Sequence, residues 1–587
     1  MNKLNLGKYF LKYSPLYFVA LIAVVISIFL DMYAPIIVQH IVDDVLMAHN
    51  LEPLKMLLLG ILAIGVGRCV FQYTKEFLCD WCGSRIASEV RINLFQKIQS
   101  LSANFFDGIN SGELMSRVKD DVDRIWDIAA FMGILIAEVI IRTILSMYFM
   151  IRINWQLSII PIIGMFGAAV IAILMEKKLD SLFGQVMQEN SELNNTAAEN
   201  LAGVRTVKAF GREGFEIMKF HKHNQKYYEL NIDLSRVFVK YNPIIQVITR
   251  LLSAIILLLG GLIVIKGNPL DGGKHMTIGE LMALLSYVGN IVWPMEMLGW
   301  LTNGLSSARA SVKRLNKIYA QIPAVTDLSP LQNYESISNS QLFTPEDISG
   351  TVEFENVTYR SGEREILKNI SFEIQAGKTL GIMGATGSGK TTIINLLKRM
   401  YDVSEGSIKL DGVDIRQLPL PTLRRAVACV MQDVFLFSDT IDGNIRLGAR
   451  ETMTSAEVRA ALERSHSAEF VDKMADKEQT VIGERGVGLS GGQKQRITIA
   501  RALARKTPVL VLDDSTSALD TETEQEIQKV LDDLTGMTKI IIAHRISAVR
   551  KADKIIVLEN GEIAECGNHD ELLAKQGLYW ETYKSQY

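Results

Sequence analysis

Apolar runs about as long as a bilayer is thick recur through the first half of the chain and stop before its second half. The first extends from Leu16 to Leu30 and resumes past Asp31 at Ile36, Ile37 and Val38. Others lie near Met56 to Leu78, Ala129 to Met150, Trp155 to Met175, Pro243 to Ile265 and Ile278 to Leu301. Roughly 20 consecutive apolar residues cross the hydrocarbon core as a helix, so the pattern predicts six membrane spans. Lys3, Lys8 and Lys12 precede the first run as in a signal peptide, but no small-residue cleavage site follows, and the run reads as a first span.

The connections are unequal. Three are short, around Asp43 to Glu52, Arg152 to Asn154 and Gly267 to Thr277, whereas Asp80 to Ile128 and Glu176 to Asn242 are long and carry most of the Lys and Arg. The positive-inside bias places the N-terminus and both long loops in the cytoplasm. Few prolines or glycines interrupt these loops, so the helices are expected to continue beyond the membrane and reach a cytoplasmic domain. The predicted organisation is a membrane domain over 1–320, a linker over 321–349 rich in Ser, Asn and Gln (Asn333 to Ser340), and a last domain over 350–587.

In that last domain the pattern changes to alternating strands and helices. Thr351 to Phe354 and Ser371 to Ile374 read as strands, Leu380 to Met383 as a buried strand and Thr391 to Met400 as a helix, which together give a mixed α/β fold. Val509 to Leu512 is a short, wholly apolar run that ends in Asp513 and Asp514, as if a buried strand delivered acids to its C-terminal edge. Open α/β sheets place ligands at that edge.

Composition changes this picture little. Hydrophobic residues make up 48% of the 587, but they are concentrated in the first 310 or so. A formal net charge of -3 gives no basic field and argues against a nucleic-acid partner. The cysteines are scattered, and Cys79 with Cys82 forms a lone CxxC, which reads as a structural pair of thiols.

Gly384-Ala385-Thr386-Gly387-Ser388-Gly389-Lys390-Thr391 follows a strand and opens a helix, as a phosphate-binding loop must. Its glycines let backbone N–H groups turn toward phosphate oxygens, and the helix N-terminus adds partial positive charge. Lys390 would bridge the β- and γ-phosphates, and the Thr391 hydroxyl would ligate magnesium. Asp513 then becomes a magnesium carboxylate, Asp514 is placed to touch the attacking water, and His544, after the apolar run Ile540 to Ala543, to contact the γ-phosphate. Leu489-Ser490-Gly491-Gly492-Gln493 is a second glycine-rich helix start, far downstream of the first.

With these motifs the whole chain resembles an ABC transporter half of the exporter type, a six-span membrane domain fused to a P-loop ATPase domain. The resemblance maps Gly384 to Thr391 onto the Walker A loop, with Thr392 beside it, and Val509 to Asp513 onto Walker B. It maps Leu489 to Gln493 onto the signature, Gln432 onto the glutamine that touches nucleotide and metal, Ser517 to Asp520 onto the D-loop, and His544 onto the switch histidine. It implies ATP and Mg2+ as cofactors, a multi-pass location in the cell membrane and a second half-transporter as partner. Each ATP would lie between one chain's Walker A and the partner's signature. Phe105 to Asp107 with Gly112 to Arg117, and Glu199 to Arg212, resemble the coupling loops of exporters, and Thr480 to Gly486 resembles the segment that senses them. Membrane lipid surrounds such a protein, and its cargo is a small molecule, lipid or peptide.

Two departures stand out. Asp514 occupies the position where exporters more often carry a catalytic glutamate, and one methylene fewer withdraws the carboxylate by about 1.3 Å. A base must lie within hydrogen-bond reach of its water, so the site on this chain's Walker motifs is expected to hydrolyse ATP poorly while its intact signature serves a partner. That division resembles the degenerate half of heterodimeric multidrug exporters. The alternatives are a homodimeric lipid flippase with two slow sites, and an ATP-gated channel or regulatory subunit. The aromatic that stacks on adenine should fall near Ser361, and Tyr359, two residues early, is the nearest candidate, either to stack on the base or to pack in the sheet.

Asp31, Arg68, Glu138, Arg142, Arg250 and Glu296 are ionisable residues within or near apolar runs. Such groups are expensive unless paired. Glu138 and Arg142, four apart, are expected to pair along one helix, and Arg250 and Glu296 are candidates for lining a central cavity. Trp293, Met295, Met297 and Trp300 fit an adaptable apolar surface or packing between helices equally well.

Overall fold

Away from water every backbone N–H and C=O must be bonded within the protein, and the apolar runs accordingly fold as helices. The computed structural model describes residues 3–268, 275–327, 348–448, 452–483, 486, 488–515 and 520–587, without the side chains at 249, 292–296, 298–300, 302, 303 and 521. Its contacts divide the chain into one unit of Met1–Ser100 with Ile109–Gln321 and another of Leu101–Gly108 with Ile322–Tyr587.

The first unit is built on α1 (Ser14–His40), α2 (Leu54–Gln99), α3 (Gly133–Ile153), α4 (Trp155–Ala202), α5 (Glu213–Lys266) and α6 (Ile278–Tyr319). Among the described residues five helical stretches are long and apolar enough to cross a membrane, against the six expected. These are Ser14–Met47, Leu54–Gln99, Ser111–Ile153, Trp155–Ala202 and Glu213–Lys266, and α6 contributes a shorter apolar stretch, Ile278–Ile291. With 48 and 54 residues, α4 and α5 are about 70 to 80 Å long, well over twice the hydrocarbon thickness. The helices therefore do continue past the spans.

Val24, Ile28 and Met32 recur on one face of α1 and pack in a core with Met150, Ile256, Leu284 and Tyr287. The Tyr287 hydroxyl donates to the Met32 carbonyl at 2.5 Å, and its ring stacks on Phe149. Cys79 and Cys82 are buried on the same face of α2 as Ile86 and Val90, and a Cβ added at Gly83 would come within 2.5 Å of Ala130. The CxxC spacing thus marks a packing face.

Charge in this unit is compensated mainly between helices. Asp31 of α1 accepts from Arg68 of α2 at 2.6 Å and from Arg142 of α3 at 2.7 Å. Glu138 accepts from Lys75, itself only 4% exposed, at 3.1 Å. The pair expected along α3, Glu138 with Arg142, lies at a looser 3.6 Å. A facing helix can aim its long side chain straight at the acid, whereas neighbours one turn apart on a single helix project side by side. Arg250 is exposed. Trp293, Met295, Glu296 and Trp300 lie outside the described side chains, and so do residues 328–347 of the expected linker.

The second unit holds two sheets. One is antiparallel, in the order β2-β1-β4-β5, from β1 (Val352–Ser361), β2 (Arg364–Ile374), β4 (Glu405–Leu410) and β5 (Val413–Asp414). The other, β10-β9-β3-β8-β7-β6, consists of β3 (Thr379–Gly384), β6 (Val427–Val430), β7 (Val509–Asp513), β8 (Thr538–Ile542), β9 (Lys554–Glu559) and β10 (Glu562–Gly567). All its pairings are parallel except β9 with β10. Val509 and Val511 enter one apolar cluster while Leu510 and Leu512 enter another. A strand covered on both faces has no polar alternation, which is why the run is unbroken.

Candidate active site

Sheet order determines which residues meet. β8 lies between β3 and β7, and β6 flanks β7, so the C-terminal ends of four parallel strands open on one side. There the loop after β3, Gln432 after β6, Asp513 and Asp514 at the end of β7, and His544 after β8 line a cavity of about 560 Å³. Such a crevice beyond the carboxyl ends is the expected ligand position in an open α/β sheet.

The loop needs its glycines. Gly384 has φ +147°, and a Cβ there would come within 2.3 Å of the Leu558 carbonyl oxygen; Gly387 and Gly389 have φ +83° and +101°. α7 (Lys390–Leu397) begins directly after it. Lys390, 7% exposed, donates from Nζ to the carbonyls of Gly384 at 2.8 Å and Ala385 at 2.9 Å. Burial holds its pKa below the usual lysine value, against the opposing pull of Asp513 and Asp514. The Ser388 hydroxyl is buried without a hydrogen-bond partner among the described residues. A buried ammonium held only by neutral carbonyls and an unsatisfied hydroxyl both fit a polyanion with acceptor oxygens.

Thr391 hydrogen-bonds through its side chain to Asp513. Burial pushes the Asp513 carboxyl above the usual carboxylate range, with that hydrogen bond opposing it. Hydroxyl, carboxylate and the Gln432 amide on one cavity form an all-oxygen donor set, which suits a hard cation such as Mg2+. The expected ligands Thr391, Asp513 and Gln432 are thus brought together.

Asp514 lines the same cavity. Its backbone is left-handed, with φ +44°, and its N–H donates to the Ile542 carbonyl at 2.9 Å. Aspartate enters that region more readily than most residues with a Cβ. His544 is fixed from behind by α10 (Leu578–Gln586). Gln586 donates from Nε2 to the His544 carbonyl at 2.7 Å, and Ile546 N–H donates to Gln586 Oε1 at 2.9 Å.

Tyr359 does not take the place expected of it. It is 8% exposed, belongs to an apolar cluster and tilts against Tyr401 at 5.6 Å between ring centroids. Tyr401 in turn donates to Asp107 at 2.9 Å, and burial together with this bond pushes its pKa up to about 12. The ring is held in the core and does not line the cavity. The reading of Tyr359 as a platform for the base is therefore corrected.

The wall opposite the loop was not anticipated. Arg364, Glu365, Ile366 and Lys368 of β2 line the cavity with Asn560 and Gly561. The strand expected over Ser371 to Ile374 begins seven residues earlier, at Arg364.

The signature residues do not line this cavity. Ser490 caps α8 (Gly491–Leu503), with Gln493 N–H donating to its hydroxyl and its own N–H donating to the Gln493 side chain. Leu489 is half-buried and Ser490 and Gly491 are exposed, so the motif is a surface helix start. Asp520 caps α9 (Thr521–Asp533) by accepting from Thr523 N–H. Residues 516–519, which include Ser517 of the expected D-loop, and Glu484 and Arg485 of the segment from Thr480 lie outside the described residues.

Comparison with known proteins agrees with this geometry. Residues 17–295 match the family model of the ABC transporter transmembrane region, and residues 367–517 match that of the ABC transporter. The chain is 33% identical to the uncharacterized ABC transporter ATP-binding protein YknU of Bacillus subtilis, over 99% of this chain and 97% of that one. It is 32% identical to an ATP-dependent lipid A-core flippase of Desulfotalea psychrophila, over 97% and 96%. A solved structure of a bacterial Atm1-family ABC exporter with ATP bound superposes with a TM-score of 0.81 at 27% identity, over 97% of this chain and 98% of that one.

Proposed function

The chain belongs to the ABC transporter family, as an exporter with fused membrane and ATPase domains, and from that premise we propose that it works as one unequal half of a heterodimeric pump. It is a multi-pass membrane protein and an ATPase that uses ATP with Mg2+. In the proposed pump Ile278 to Leu301 completes six spans, and the N-terminus and ATPase domain face the cytoplasm. The Walker loop, Gln432 and His544 hold ATP against the signature of a second chain, and Leu489 to Gln493 complete the partner's site. ATP binding closes the two ATPase domains, the coupling loops transmit this, and the transport cavity opens outward.

The observation that carries the reading is Asp514. Its backbone is tied to Ile542, and its side chain is one methylene shorter than glutamate, so the carboxylate stops about 1.3 Å short of where the longer acid would meet the water. Lys390 neutralises phosphate charge and Thr391 with Asp513 holds the metal, which would supply electrostatic stabilisation of the transferring phosphoryl group. Binding is therefore intact and proton acceptance is weak. Hydrolysis at the partner's consensus site resets the cycle.

A second reading, a homodimer with two slow sites, is supported by relatives named ATP-dependent lipid A-core flippases, and it makes a lipid the favoured cargo. Native mass spectrometry of the complex extracted from its own membrane separates the two. Two different polypeptides in equal amounts are expected, and a single polypeptide mass would replace the heterodimer with the flippase-like pair.

A further inference from the structure

The cavity has two walls. One is the phosphate loop with the strand ends, and the other is β2 with the turn at Asn560 and Gly561. These walls adjoin closely: a Cβ added at Gly389 would come within 3.2 Å of the Ile366 carbonyl oxygen, and one at Gly561 within 2.4 Å of the same atom. Lys368 N–H donates to the Gly561 carbonyl at 2.8 Å. For a nucleotide whose phosphates lie on Gly387 to Thr391, β2 is the wall that directly adjoins the loop and on which the base can rest.

Most of the charged side chains on this wall are engaged. Glu365 pairs with Arg360 at 2.7 Å, and Lys368 lies 3.6 Å from Glu562. The Arg364 guanidinium has no hydrogen-bond or ion-pair partner among the described residues, and the residue is exposed at the cavity rim. Arg364 is also the cross-strand partner of Ser361 across a two-residue turn whose Gly362 has φ +62°. Ser361 has no ring and Tyr359 is packed away, so neither offers the base a flat surface. Ile366, two residues on and therefore on the same strand face, adds an apolar surface beside the guanidinium.

We propose that Arg364 is the base-binding residue of this site, its planar guanidinium lying on the purine face of the bound nucleotide where an aromatic ring would otherwise stack. A guanidinium suits this role because it is flat, weakly hydrated and attracted to π-faces. The inference concerns nucleotide binding alone and is independent of the pairing of halves and of hydrolysis at Asp514.

The test is equilibrium binding of AMP-PNP and of inorganic tripolyphosphate, each with Mg2+, to the full-length chain in lipid nanodiscs. Arg364→Ala should weaken AMP-PNP about fivefold and leave tripolyphosphate unchanged. Arg364→Trp, which restores a flat face without charge, should bind AMP-PNP like the unaltered chain, and Arg364→Lys should behave like Arg364→Ala. Unchanged AMP-PNP affinity in Arg364→Ala would overturn the assignment. So would a parallel loss for tripolyphosphate rescued by Arg364→Lys, which would make Arg364 a phosphate contact. Arg364→Trp binding as weakly as Arg364→Ala would equally remove the stacking role.

Discussion

In the helical unit Asp31 is met by the guanidinium groups of Arg68 and Arg142, and Glu138 by the ammonium of Lys75, each from a neighbouring helix. At the strand ends of the second unit Lys390 is held by two neutral carbonyls and Asp513 by a hydroxyl. Both regions bury charge, and they differ in what completes it. Among the helices the protein supplies the opposite charge itself, so the ion pairs are part of the fold and serve to keep α1, α2 and α3 in register. At the strand ends the charges are balanced only in part, and that imbalance is what a nucleotide phosphate and a magnesium ion would resolve. Buried charge left for a ligand is costly to the unliganded fold and is the usual mark of a functional site.

Removing one charge from each region tests the contrast. The largest effect expected is on nucleotide binding: Lys390→Ala should weaken AMP-PNP at this chain's Walker site by about tenfold or more, measured by equilibrium binding with Mg2+, with the unfolding temperature little changed. A large drop in that temperature would make Lys390 structural and erase the distinction. Next in size, Asp31→Asn removes the acid facing Arg68, leaves Arg142 only its 3.6 Å contact with Glu138, and should cost about 1–3 kcal/mol of stability. Thermal unfolding in nanodiscs reads this, and Asp31→Asn combined with Arg142→Met should recover part of it. A neutral outcome for the single variant would mean that solvent, not Asp31, balances those arginines.

The smallest effect has the opposite sign. Burial holds the Asp513 carboxyl above its unfolded value, so its contribution to stability is most favourable below the unfolded pKa and is lost as pH rises through the folded one. Asp513→Asn should therefore raise the unfolding temperature slightly at neutral pH without nucleotide, and the gain should shrink as pH falls, while Mg2+-dependent nucleotide binding weakens. A fall in unfolding temperature like that of Asp31→Asn would show that the two regions handle charge alike.

Much of this was legible in the sequence, wherever cause and effect are local. The phosphate loop, the buried run from Val509 and the helix start at Ser490 each depend on neighbours along the chain, and spacing alone exposes them. What was missed depends on distant neighbours. Tyr359 is held by Tyr401, which is itself tied to Asp107. Arg142 does meet Glu138 one turn away as expected, at 3.6 Å, but its shorter contact, unforeseen, is Asp31, 111 positions earlier. The cavity wall on β2 was hidden because Arg364 to Lys368 reads Arg-Glu-Ile-Leu-Lys, with no alternation of charged and apolar residues to announce a strand.

Asp514 bears the central claim, and single-turnover hydrolysis tests it most directly, with the heterodimer in excess over ATP and the partner's catalytic glutamate replaced by glutamine so that only this chain's Walker site turns over. Restoring the missing methylene with Asp514→Glu should accelerate the step by about tenfold or more, at unchanged ATP affinity. A rate equal to or below that of the unaltered chain would contradict the account, because the short carboxylate would then already serve as the base and no unequal partner would be needed.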